Sequence, residues 1–133
     1  MTAVPLVREY MSSSCHSVQA SDPITQAKEL MQFHAIRHLP VFEDGAVVGM
    51  VSLGDLYAME AVMEVDPDRS EVRQAMSEDV YTVGPDTRLV DVVRTMAERH
   101  IGSCVVLDGQ GALAGVFTST DCCRVLAELL SQS

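Results

Sequence analysis

Two seven-residue stretches carry side chains suited to binding chemistry. Gly49-Met50-Val51-Ser52-Leu53-Gly54-Asp55 and Gly115-Val116-Phe117-Thr118-Ser119-Thr120-Asp121 share one form, G-h-h-[ST]-x-x-D, where h is apolar. A glycine lets another backbone or a ligand approach closely. A hydroxyl at a helix start can cap the helix, or hold an anion beside free N–H groups. An aspartate three residues later lies within one helical turn and can accept two hydrogen bonds from a diol. A ribose with its phosphate suits that pair. The same spacing is that of a capping box, in which the two side chains serve only the helix. The two uses are compatible.

The stretches differ in what precedes them. Arg37-His38 stand before Leu39-Pro40-Val41, whereas Gly102-Ser103 stand at the matching place before Cys104. Only the first copy has a cation there. Arg99 and His100 are near in sequence, but Arg99 follows a helical register and His100 suits a helix end, where the dipole favours it.

Other reactive residues point to less. Cys15-His16 pairs a thiol with a base, but neighbours on an extended chain face opposite ways. His34 and His38 are four apart, yet the helical pattern breaks near His34–Ile36, which argues against a shared metal. The four cysteines, Cys15, Cys104, Cys122 and Cys123, lack finger or C-x-x-C spacing and read as reduced thiols. Neither catalysis nor a cofactor or metal is expected.

The elements that hold the motifs come in duplicate. Offset by 65 residues, Val7-Arg8 meets Val72-Arg73, Met11-Ser12 meets Met76-Ser77, Met31 meets Met96 and Ile36 meets Ile101; beyond Gln110 the offset becomes 66. Each copy opens with a short element ending in Met-Ser, then an apolar stretch centred on Val18 or Val83. A helix follows, with Asp22 before Pro23, or Asp86, as the expected N-cap. Its apolar face carries Ile24, Ala27, Leu30 and Met31, or Leu89, Val92, Val93 and Met96. Two strands come next, Leu39–Phe42 and Ala46–Val51 around Glu43-Asp44-Gly45, or Cys104–Leu107 and Ala112–Phe117 around Asp108–Gly111. A last helix begins near Ser52 or Thr118, with Leu56, Met59, Val62 and Met63, or Val125, Leu126, Leu129 and Leu130. The order is β-α-β-β-α twice. Residues 7–65 form repeat 1, 66–71 a polar linker and 72–130 repeat 2. A half of that size is marginal alone, so the two are expected to share an interface about a pseudo-twofold axis.

Composition agrees with a globular chain. The 133 residues are 47% hydrophobic and 21% charged, and only 5% aromatic with no Trp. The core must be aliphatic. Nine Lys and Arg against nineteen Asp and Glu give a net charge of −10, which repels nucleic-acid backbones. There is no signal-like leader and no membrane-length apolar run, so a cytoplasmic protein without membrane contact is expected.

Ile36-Arg37-His38-Leu39-Pro40-Val41, the Asp-Gly turn and Gly49–Asp55, repeated in the same order, resemble a tandem pair of CBS (cystathionine β-synthase) domains, a Bateman module. The resemblance runs from Val7 to about Leu130. It implies a mixed α/β fold of two CBS repeats, and binding of AMP, ADP, ATP or S-adenosylmethionine in clefts between them. It assigns Asp55 and Asp121 to ribose hydroxyls, Ser52 and Thr118 to ribose or phosphate, and Arg37 and His38 to phosphate. Thr82 and Val83 would meet adenine beside Asp55. Ser17, Val18 and Ala20 would do so beside Asp121, with Thr120 nearby. The Arg37 cleft is expected to be the better nucleotide site. Such modules are regulatory, so an effect on an unknown partner protein in trans is implied, with homodimerisation through the helices Asp55–Val65 and Asp121–Leu130. The alternative is an interaction module that binds no nucleotide.

Overall fold

In a computed structural model, residues 4–13, 16–63 and 66–132 are described, apart from the side chains of Val62 and Met63. The elements follow the order β1 (Val18–Gln19), α1 (Ile24–His34), β2 (His38–Glu43), β3 (Ala46–Ser52), α2 (Leu53–Met63), β4 (Thr82–Val83), α3 (Leu89–Arg99), β5 (Ser103–Leu107), β6 (Leu113–Thr118) and α4 (Ser119–Ser131). The expected β-α-β-β-α order thus appears twice in a mixed α/β chain. A 3-10 turn precedes each copy, at Val7–Glu9 and Val72–Gln74.

The chain divides into two compact units, and they are not cut at the repeat boundaries. One is His16–Val80. The other combines residues 1–15 with Tyr81–Ser133. The opening turn of repeat 1 therefore belongs with repeat 2, and the turn after the linker belongs with repeat 1. In the first unit, Met50 and Ser77 exchange backbone hydrogen bonds. In the other, Ser12 and Val116 do the same.

Each unit has one three-stranded sheet, ordered β1-β2-β3 or β4-β5-β6. The short first strand runs parallel to the middle one, and the last two are antiparallel. The β2–β3 turn is two residues long, with Glu43 opposite Ala46. Both turn residues have positive φ, 52° at Asp44 and 79° at Gly45, which is what a tight hairpin turn demands and why Asp-Gly stands there. The longer β5–β6 turn is held by Asp108 Oδ1, which accepts from the Gln110 and Ala112 N–H groups.

Two aliphatic cores result. Val18, Ile24, Ala27, Met31, Leu39, Val41, Val51, Leu56 and Met59 are buried together in the first unit, with Val72. Val7, Leu89, Val92, Met96, Cys104, Val106 and Phe117 are buried together in the other. The predicted faces of α1 and α3 are the buried ones. Burial pushes the Cys104 thiol up to about 12, so it behaves as a small hydrophobe. Cys15 lies outside the described residues.

The predicted caps are corrected. Helix α1 starts after Pro23 and α3 after Arg88, neither with a side-chain cap. Asp22 turns back to accept from the Gln19 N–H, and Asp86 pairs with Arg8. Neither carboxylate caps a helix backbone: Asp22 also takes the Gln26 side chain on α1, and Asp86 ties the opening 3-10 turn of the chain to the loop before α3. On α4, Leu126, Leu129 and Leu130 are exposed and outside the core, while Met59 on α2 is buried.

Candidate ligand site

Each G-h-h-[ST]-x-x-D motif spans a strand end and a helix start, and each part has a local cause. At Gly49, a Cβ would lie 2.6 Å from Met76 Sδ and 2.9 Å from the Ser77 carbonyl oxygen. At Gly115, it would lie 2.5 Å from Met11 Sδ and 2.8 Å from the Ser12 oxygen. The glycine is therefore required by the neighbouring Met-Ser backbone. The hydroxyl and carboxylate close the capping box. Asp55 Oδ2 accepts from the Ser52 N–H at 2.9 Å, and Ser52 Oγ accepts from the Asp55 N–H at 3.0 Å. Thr118 and Asp121 form the equivalent box. The capping use of the motif is thus realised in both copies.

What remains free distinguishes them. Asp55 Oδ1 makes no hydrogen bond among the described residues. Asp121 is almost fully buried, at 6% exposure. Its Oδ2 accepts from both the Thr118 N–H and the Thr118 hydroxyl, and its Oδ1 accepts from Arg124 Nη1 at 2.8 Å.

The first unit has a cavity of about 480 Å³ lined by Arg37, His38, Ser52, Leu53, Gly54 and Tyr57. That volume falls within the roughly 300–1,000 Å³ usual for small-molecule sites. The strand–helix junction brings the residues together: β2 begins at His38, β3 ends at Ser52 opposite it, and the Leu53 N–H donates to the Arg37 carbonyl. Arg37 is exposed and forms no ion pair among the described residues, so its guanidinium is available to an anion. Burial pushes the His38 imidazole below its ordinary 6.5; the Asp55 carboxylate opposes this and the Arg37 guanidinium adds to it. His38 is therefore neutral near pH 7 and offers a hydrogen bond, which leaves Arg37 as the cation of the pocket.

The other named residues fall as follows. Asp55 does not line the cavity and is joined to it through Ser52. Tyr57 does line it, and sequence reasoning missed it. It stands four residues after Leu53, one helical turn on, with Lys28 Nζ 5.6 Å above its ring. Lys28 also bonds to Glu60 at 2.8 Å. Thr82 and Val83 form β4 of the other unit. Ser17 is exposed, whereas Val18 and Ala20 are buried in the first unit's core. The Ala20 N–H donates to Phe42 and its carbonyl accepts from Arg73, so neither its methyl nor its N–H is open to a ligand. Thr120 is exposed on the first turn of α4. At Arg37's counterpart, Gly102, the carbonyl accepts from the Ser119 N–H, and no cation stands at that position.

The family model for the CBS domain matches residues 7–60 and 71–128. The chain belongs to the CBS domain family. The acetoin utilization protein AcuB from Vibrio cholerae has a similar structure, with a TM-score of 0.83 at 25% identity over 97% of this chain and 95% of that one. CBSX2, crystallised in complex with AMP, gives 0.77 at 25% identity over 94% and 98%. The CBS domain-containing protein YhcV of Bacillus subtilis is 26% identical over 86% of this chain and 81% of its own length. Of three other curated relatives, the CBS pair here spans only 28%, 24% and 24%. No helix among the described residues is long and apolar enough to cross a membrane.

Proposed function

We propose that this CBS pair is a regulatory sensor that binds an adenosine phosphate, such as AMP, in the first unit. The observation that carries this reading is the cavity beside Ser52, which contains a cation with no ion pair among the described residues in a chain of net charge −10. Arg37 holds the phosphate. His38, neutral, and Ser52 add hydrogen bonds, and Asp55 Oδ1 accepts from the ribose. The AMP complex of the similar CBSX2 supports the choice of ligand class. Binding acts on a partner protein by favouring one conformation of the chain, and it does so only to the extent that the ligand prefers that conformation. The role is regulatory, with no catalytic step assigned.

The test is a melting-temperature series with AMP, ADP, ATP, adenosine and S-adenosylmethionine on the full chain. A ligand at a hundred times its Kd adds about 2.7 kcal/mol to stability and raises Tm. If no compound shifts Tm at saturation, the reading falls. A second reading, an interaction module that forms a homodimer, then gains. It draws on Leu126, Leu129 and Leu130, exposed along α4.

A further inference from the structure

We infer that Arg124 closes the Asp121 carboxylate to a ligand's hydroxyls, so that the motif of the second repeat is filled by its own chain. The inference rests on the proposed nucleotide reading and says why one motif would be open and the other shut. An ionised carboxylate offers about four acceptor positions. Asp55 has spent one, on the Ser52 N–H. Asp121 has spent three, on the Thr118 N–H, the Thr118 hydroxyl and Arg124. A ribose diol donating two hydrogen bonds needs two open positions. Asp55 retains them and Asp121 does not.

The arginine's place is specific to this copy. Arg124 stands three residues after Asp121, on the first turns of α4, where i and i+3 side chains meet. The residue three after Asp55 is Ala58. The cation before the strand shows the reverse pattern, Arg37 in one copy and Gly102 in the other. The first copy has its cation free and its carboxylate open, and the second has its cation bound to its carboxylate. The Arg124 side chain is 74% exposed while that of Asp121 is 8% exposed. Arg124 is exposed and outside the core cluster, and Asp121 keeps its two Thr118 bonds when the arginine is removed, so the helix start stays capped. Its charge-assisted bond must be given up before Asp121 can take a diol, which is worth about tenfold in affinity at an exposed guanidinium.

The experiment is AMP binding to the full chain by calorimetry, with stoichiometry checked by native mass spectrometry. Wild type is expected to take one AMP per chain. Arg124→Met is expected to take a second, weaker one with the first unchanged, and Arg124→Met with Asp121→Ala to return to one. One AMP on both wild type and Arg124→Met overturns the closure and leaves the nucleotide reading standing, as do two equivalent AMP on wild type. None on wild type but one on Arg124→Met upholds the closure and overturns the Arg37 pocket. None on either protein overturns both.

Discussion

The two units share strand order, glycine packing and capping boxes, and they differ in where their charges and bulk are placed. Val51 in β3 corresponds to Phe117 in β6, Leu39 in β2 to Cys104 in β5, and His38 to Ser103. Both cores close around these exchanges. Arg37 and Asp55 are open in one unit, while Gly102 and the Arg124-bound Asp121 replace them in the other. Duplication has kept what the backbone requires, and the positions proposed to face the ligand have diverged. The cations that distinguish the two units, Arg37 and Arg124, both lie outside the seven-residue motif.

The largest expected effect tests the cores. Phe117→Ala should cost about 3–5 kcal/mol in denaturant unfolding, because Phe117 is fully buried among Leu89, Val92 and Met96. Val51→Ala, at the matching position, removes fewer atoms and should cost less. A larger loss at Val51 would break the correspondence between the two sheets.

Next comes the cation. Arg37→Ala should weaken AMP binding about tenfold to a hundredfold, as loss of a charge-assisted contact worth roughly 1.5–3 kcal/mol, and leave adenosine binding unchanged. Calorimetry with both ligands separates the outcomes. Equal loss for adenosine would assign Arg37 to something other than phosphate.

The glycines should respond alike. Gly49→Ala and Gly115→Ala each set a methyl against a Met-Ser backbone, where the carbonyl cannot give way, and should each cost about 1–3 kcal/mol. Unfolding midpoints that differ widely between the two would show that the close approach matters in one unit alone.

The smallest effect is the dependence on pH. Burial lowers the folded-state pKa of His38 below 6.5, so the unfolded chain binds the proton more readily. The stability this group supports is complete above pH 6.5 and is lost as pH falls towards the lowered value. His38→Ser, which copies Ser103, should flatten the fall in Tm between pH 7 and pH 5.5. An unchanged slope would remove His38 from the account.

Much of the architecture could be read from the sequence because apolar spacing is a local signal. Ile24, Ala27 and Met31, with Leu89, Val92 and Met96, marked the buried faces of α1 and α3. Asp44-Gly45 marked the hairpin, since few residues adopt two successive positive φ values. The caps were misread because a carboxylate before a helix can bond backwards as easily as forwards, as Asp22 does. The placing of Met11-Ser12 and Met76-Ser77 could not be read, because a short element does not encode which sheet edge it joins. Ser52 was picked out by the motif and Arg37 and His38 by the family resemblance, and the cavity brings the three together. Tyr57 and Arg124 were missed, since an exposed aromatic or a lone arginine on a helix leaves no periodic trace until the fold supplies its neighbours.

The exchanged opening segments carry a consequence for biosynthesis. The unit His16–Val80 is continuous, so all of its partners are synthesised before residue 81 is added. The other unit is not. Arg8 waits for Asp86, 78 residues further on, and Val7 waits for Thr87. The opening turn is thus made long before its partners, and that late closure carries the larger loop entropy. A circular permutant that begins at His16 and joins Ser133 to Met1 through a flexible linker would make both units continuous in order. It should refold faster and reach the same native state.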